Sequence, residues 1–141
     1  MKKTILVAAA LALVAVLAAV SQTSSTPKHK VVFQMTDPEG NAWESLIGHV
    51  TNLQAAFAKD GGSQVEVVFF GAGLNMLLNK NTAYEERLKK LADAGVTLAA
   101  CQNAMRHKNV KTEDLFPFAA QVDSGVAELA RKQEAGWAYI H

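Results

Sequence analysis

The stretch TAYEERLKKLADAGVTLAACQNAMRH, residues 82–107, carries the pattern that decides the fold. Thr82 and Glu85 open a helix, and Tyr84, Leu88, Leu91 and Ala92 fall on one face of it. On the solvated side, Glu85–Lys89 and Glu86–Lys90 are Glu-first pairs four residues apart, each contributing about 0.2–0.5 kcal/mol. Gly95 ends the helix. Val96 to Cys101 is then an apolar run of strand length, and Asn103 to His107 can form a short helix directly after it.

The same alternation extends in both directions. Toward the N-terminus, Val65 to Phe70 reads as a strand, followed by Gly71-Ala72-Gly73 and a single helical turn over Leu74 to Leu78. Before it, Asn41 and Glu44 have capping-box spacing. Trp43, Leu46, Ile47, Val50, Leu53 and Phe57 then recur on one helical face, up to Asp60-Gly61-Gly62. Val31 to Met35 is a further strand, closed by the turn residues Thr36 to Gly40. Toward the C-terminus, Lys111 to Pro117 is a connector in which Thr112 is a candidate cap. Ala119 to Val122 is a weak strand, and Ser124 caps a helix with Val126, Leu129 and Ala130 inward. Gly136 ends that helix, and Trp137 to Ile140 is a final strand with Trp137 and Tyr139 expected in the core.

Five strands alternating with helices predict an α/β domain: a mainly parallel sheet with helices on both faces. The strands read as predominantly apolar runs rather than alternations, as two covered faces require. Residues 31–141 make one such domain, and a chain of this size buries about two-thirds of its unfolded surface without a disulfide or metal staple.

The N-terminus reads differently. Lys2 and Lys3 precede an unbroken apolar run from Ile5 to Val20, and Ala18, Ala19 and Ser21 are small residues at the expected cleavage point. Residues 1–21 are therefore predicted to be a signal peptide, and 22–30 a flexible tether in which Lys28, His29 and Lys30 are solvated. The expected location is the periplasm; the alternative is an uncleaved membrane anchor facing it. The run is shorter than the ~20 apolar residues of a spanning helix. Without Lys2 and Lys3 the near-neutral charge turns slightly negative, which excludes long-range attraction to nucleic acid or to an anionic membrane.

In an open parallel sheet, ligands bind beyond the carboxyl ends of the strands. Those ends are Met35-Thr36, Gly71 to Gly73, Cys101 to Asn103, and Asp123-Ser124. Cys101 is the sole cysteine, so no internal disulfide exists, and it falls on this rim just before a helix. Backbone N–H groups at a helix start favour a thiolate, with Arg106, His107 and Lys108 adding positive charge if they fold back. Cys101 is thus the candidate catalytic residue, with Gly71, Gly73, Gln102 and Asn103 as weaker binding candidates. Gly71 to Gly73 lacks the spacing of a nucleotide-binding loop, so no cofactor is expected. His29, His107 and His141 share no metal-site spacing, and His49 is expected to be a partly buried structural histidine. Asn52, opposite its helix's apolar face, is an interface candidate.

At GVTLAACQNAM (95–105), VVFFGAGLNMLL (67–78) and GWAYI (136–140) the chain resembles the DsrE/DsrF-like family, above all its small single-domain branch. WESLIGHVTNL (43–53), YEERLKKLADAGV (84–96) and VDSGVAELARKQEAGWAYI (122–140) extend the resemblance from about Lys30 to the end. It implies a three-layer α/β/α domain around a five-stranded parallel sheet and homo-oligomers, commonly trimers or hexamers. In the family's sulfur-relay members, a cysteine just after the third strand accepts a sulfane sulfur as a persulfide and hands it on. Cys101 matches that position. Those members are cytoplasmic, so their partners do not carry over to a chain with an export signal.

Two readings follow. In the first, Cys101 carries a sulfane sulfur between thiol-bearing donor and acceptor proteins, as a sulfur carrier or sulfurtransferase-like protein. In the second, the protein is a non-enzymatic oligomeric module that binds a small ligand at the Gly71–Gly73 rim or serves structurally, with Cys101 inert. A disulfide-linked dimer through Cys101 is a third outcome.

Overall fold

The computed structural model describes residues 26–141. The expected signal peptide, 1–21, and residues 22–25 of the tether lie outside the described residues. Among the described residues, no helix is long and apolar enough to cross a membrane.

Five strands form one sheet: β1 (His29–Met35), β2 (Ser63–Phe69), β3 (Thr97–Cys101), β4 (Ala120–Val122) and β5 (Ala138–Ile140). Their order is β4-β3-β2-β1-β5, and every neighbouring pair is parallel. Helices α1 (Asn41–Phe57), α2 (Thr82–Asp93), α3 (Gln102–Lys108) and α4 (Gly125–Glu134) connect them, with 3₁₀ turns at Ala58–Asp60, Gly71–Leu77 and Thr112–Asp114. The α/β class and five-stranded parallel sheet are as the alternating pattern predicts.

The two faces are covered unequally. On one, Phe33, Met35, Val67 and Leu98 meet Trp43, Leu46 and Val50 of α1, Leu88 and Leu91 of α2, and Met105 of α3 in a single core. Trp43 is fixed by donating from Nε1 to the Asp37 carbonyl at 2.9 Å and by an edge-on contact with Tyr84, 5.1 Å between ring centres. Truncating such an aromatic anchor to Ala costs about 3–5 kcal/mol. On the other face α4 stands alone: Leu129 packs on Val32 and Val68, with Phe70, Val122 and Trp137 around them.

This asymmetry follows from strand order. Steps from β1 through β4 move in one direction, and right-handed crossovers then put α1, α2 and α3 on the same side. The return from β4 to β5 runs the other way and sends α4 to the opposite face. The chain therefore leaves the adjacent strands β3 and β4 toward opposite faces. A crevice opens between their carboxyl ends, the topological switch point at which open α/β sheets bind ligands.

Several local expectations are corrected. His29 and Lys30 belong to β1, not to a tether; the His29 ring stacks on Phe57 at 3.8 Å, which extends the strand to the edge of the core. Gly40, not Asn41, caps α1, and no side chain caps it. Glu44 is turned instead toward α2, where Arg87 donates to both its carboxylate oxygens at 2.9 and 2.7 Å. Lys89 pairs with Asp93 at 2.6 Å, one turn onward on its own helix. On α4, Gly125 and Leu129 face inward, while Val126 is 66% exposed and Ala130 is exposed too. The stripe is shifted by one residue because Gly125, lacking a side chain, is the position that can press against the sheet. β5 is an exposed edge strand, so Tyr139 lies at the surface and Trp137 is half-buried before the strand begins.

Candidate functional site

Cys101 is the last residue of β3 and the residue preceding α3. Leu98 and Ala100 belong to the larger core. Strand alternation turns Ala99 and Cys101 to the α4 side. There the sulfur meets two helix starts. Its Sγ accepts the Ala104 N–H of α3 at 3.4 Å and the Gly125 N–H of α4 at 3.1 Å. Both strands adjoining the switch point thus contribute, β3 with the sulfur and β4 by delivering α4, with Cys101 in register with Val122.

The close approach of α4 depends on Gly125. A Cβ there would lie 2.8 Å from Phe70 Cδ1 and 3.0 Å from its Cγ. Only a residue without a side chain brings the N–H to the sulfur while leaving the Phe70 ring in place. Ser124 fixes the helix start, its Oγ accepting from the Ala127 N–H at 3.4 Å and its carbonyl from the Glu128 N–H at 2.9 Å.

Cys101 is buried, 4% exposed, rather than standing open on the rim as its position at a strand end suggests. It forms part of the wall of a cleft of about 280 Å³. Phe70, Gly71, Ala104 and Val126 supply the apolar and backbone walls, and Asn103, His107, Lys108 and Ser124 the polar rim. Among the described residues, no carboxylate lines it. The nearest in sequence, Asp123, is turned to Arg131, which hydrogen-bonds it and holds its carboxyl below the usual range.

Of the weaker candidates, Gly71 and Asn103 line the cleft. Gly73 does not. It is buried where a Cβ would sit 2.2 Å from the Met35 carbonyl oxygen, so it lets two backbone segments touch and is a packing residue. Gln102 points away, donating from Nε2 to the Gln121 side-chain oxygen at 3.3 Å. Arg106 also stays outside, bonded to Asn103 Oδ1, whereas His107 and Lys108 do reach the cleft. Sequence reasoning missed Phe70 and Gly125 as parts of the site. A glycine directly after a helix cap, at the end of a strand on the same rim, was the available signal for Gly125.

The histidines are dispersed. His49 is exposed rather than partly buried, and with His141 and Asp37 it lines a separate cavity of about 170 Å³. Among the described residues, no three His, Cys, Asp or Glu side chains converge as metal ligands would.

Comparison with known proteins adds to this geometry. The model of the DsrE/DsrF-like family matches residues 8–141. No curated protein matches the chain. Among solved structures, the chain is similar to the protein of unknown function MTH1491 from Methanobacterium thermoautotrophicum. The two are 32% identical with a TM-score of 0.75, over 80% of this chain and 98% of that one.

Proposed function

The chain belongs to the DsrE/DsrF-like family, and from that premise we propose that it carries sulfane sulfur as a persulfide on Cys101. The observation that carries this reading is the convergence of two backbone N–H groups, from Ala104 and Gly125, on the one sulfur atom in the wall of a cleft. Fixed N–H donors stabilise charge that develops during transfer at the atom they address. The cleft has room for the added sulfur, since a water molecule's share of liquid volume is only ~30 Å³.

The chemistry balances without an external oxidant. The Cys101 thiolate attacks the outer sulfur of a donor persulfide, R–S–SH. A bond forms from Sγ to that sulfur, the donor S–S bond breaks, and RS⁻ departs with the electron pair. An acceptor thiolate later attacks the outer sulfur of Cys101–S–SH, the Sγ–S bond breaks, and Cys101 returns to thiolate. Sulfur changes owner, and the sum of oxidation states is unchanged.

The test is intact-mass spectrometry after exposure to inorganic polysulfide. Wild-type protein should gain sulfur at Cys101, reversibly with dithiothreitol, and Cys101→Ser should gain none. An unmodified Cys101, under conditions that load a control carrier, would sink the reading. Burial of Cys101 is the observation that favours the second reading, an inert thiol in a binding module. Native alkylation by iodoacetamide no faster than that of free cysteine at pH 7 would support it.

The same proposal assigns the protein to the periplasm, on the apolar run behind Lys2 and Lys3. A mature N-terminus near Ser21 in periplasmic extract tests this, and an intact N-terminus in the membrane fraction would favour the anchored form. Exposed Val126 and Tyr139 on the thinly covered face, with exposed Ile140 on the other side of the edge strand, support assembly with further copies, which sedimentation measures.

A further inference from the structure

Two cavities meet at Lys108. One is the Cys101 cleft; the other, about 270 Å³, lies between the Leu78–Lys80 loop and the end of α3. Their linings differ in kind. Around Cys101 the walls are mainly apolar, whereas the neighbouring cavity presents Asn79, Lys80, Asn109 and Asp114.

The second cavity is firmly built. Leu78 bridges Leu115 in antiparallel fashion, and the Phe116 N–H donates to the Leu77 carbonyl at 3.0 Å. Asn79 donates from its backbone N–H to the Asp114 carbonyl and from Nδ2 to the Glu113 carbonyl, both at 2.8 Å. Asn109 closes α3 in the left-handed region, φ 53°, which turns the chain around the cavity's edge.

Two lysines and one carboxylate line the two cavities. Lys80 and Lys108 are exposed, and neither has an ion-pair partner among the described residues. The one carboxylate present, Asp114, is already engaged by the Lys111 N–H at 2.8 Å. A polarisable sulfur suits the apolar cleft, and a carboxylate suits the two unpaired lysines.

The geometry points to a two-part donor: the persulfide of a small acidic thiol, with its sulfur in the Cys101 cleft and its carboxylate-bearing body in the Lys80 cavity. This rests on the persulfide reading of Cys101 and adds the class of molecule that loads it. On loading, Sγ bonds to the donor's outer sulfur, and the acidic thiol leaves as its thiolate with the electrons of the broken S–S bond. Lys80 and Lys108 are specificity residues in this step and do not touch the reacting sulfurs.

The experiment measures Cys101 loading rates with glutathione persulfide, cysteamine persulfide and inorganic disulfide ion, each divided by the same donor's rate with free cysteine. The normalised glutathione rate should exceed the cysteamine rate by about tenfold at low ionic strength, the lower end of electrostatic steering, and salt should narrow the gap. Lys80→Gln should slow glutathione persulfide severalfold and leave the inorganic ion unchanged, because that ion is too short to span both cavities. Equal normalised rates in wild-type protein would overturn the two-part donor and leave the persulfide reading intact, as would a Lys80→Gln variant that slows all donors alike. Failure of every donor to load Cys101 would overturn both.

Discussion

The Gly125 N–H donates to Cys101 Sγ at 3.1 Å, joining the end of β3 to the start of α4 across 24 positions of chain. The contact exists only because Gly125 lacks a side chain. In Gly125→Ala the methyl would meet the Phe70 ring at 2.8 Å, so α4 must retreat or Phe70 must turn. The expected result is a loss of about 1–3 kcal/mol, as for overpacking elsewhere, with a changed alkylation rate at Cys101. Adding Phe70→Leu to that variant should recover part of both, measured by urea unfolding and iodoacetamide kinetics. A Gly125→Ala protein with unchanged stability and thiol reactivity would show that the approach of α4 is not limiting.

The same hydrogen bond separates two substitutions at Cys101. A serine hydroxyl can still accept from Gly125, whereas alanine leaves a buried N–H without a partner, at a cost of about 1–3 kcal/mol. Cys101→Ala should therefore be less stable than Cys101→Ser, although alanine is the more apolar. Both should lose persulfide formation. Thermal unfolding of the two variants side by side checks the order.

Glu66 is the buried charge of the thin face. It projects from β2 at 5% exposure, and Lys132 of α4 reaches it at 2.7 Å while lying 4.1 Å above the Trp137 ring. Lys132→Met would leave that carboxylate buried and unpaired, so a loss of about 3–5 kcal/mol is expected. Combining it with Glu66→Leu should recover most of the loss, since an apolar pair of similar volume is often neutral. Urea unfolding of the two single variants and the double variant decides it, and strictly additive losses would mean that the pair is not coupled.

What the sequence revealed of this fold, and what it hid, has a physical pattern. The central residues of β1 to β3 are buried on both sides, and their predominantly apolar runs announced a parallel sheet. The face of α1 through Trp43, Leu46, Ile47 and Val50 was equally plain, because a wide core demands a wide stripe. The reading failed where cover is thin. α4 packs alone, so a glycine rather than a valine meets the sheet, and Val126 looked like core although it is not. At the site, the place of Cys101 followed from counting strands, because strand ends define the rim. Its burial and its Gly125 partner did not follow, since both depend on a return crossover that brings α4 back across the sheet. Gly73 looked like a ligand loop because close backbone packing and close ligand approach call for the same residue.

The Glu44–Arg87 pair tests the seam between α1 and α2 through pH. Arg87 donates to both Glu44 oxygens and holds the carboxyl below its usual range. A carboxyl with a lowered folded-state pKa binds protons less readily in the native than in the unfolded chain. Its stabilisation is fully present above the unfolded pKa of about 4.3 and is lost as pH falls through the lower folded value. Glu44→Gln should accordingly be less stable than wild type from pH 5 to 8, by a constant amount that salt reduces. The difference should shrink as pH drops below about 4 and vanish once Glu44 is protonated in both states. Chemical unfolding midpoints of the two proteins across pH 3 to 8 provide the measurement. A gap that persists unchanged at pH 3 would mean that the Glu44→Gln substitution disturbs packing rather than removing a charge pair.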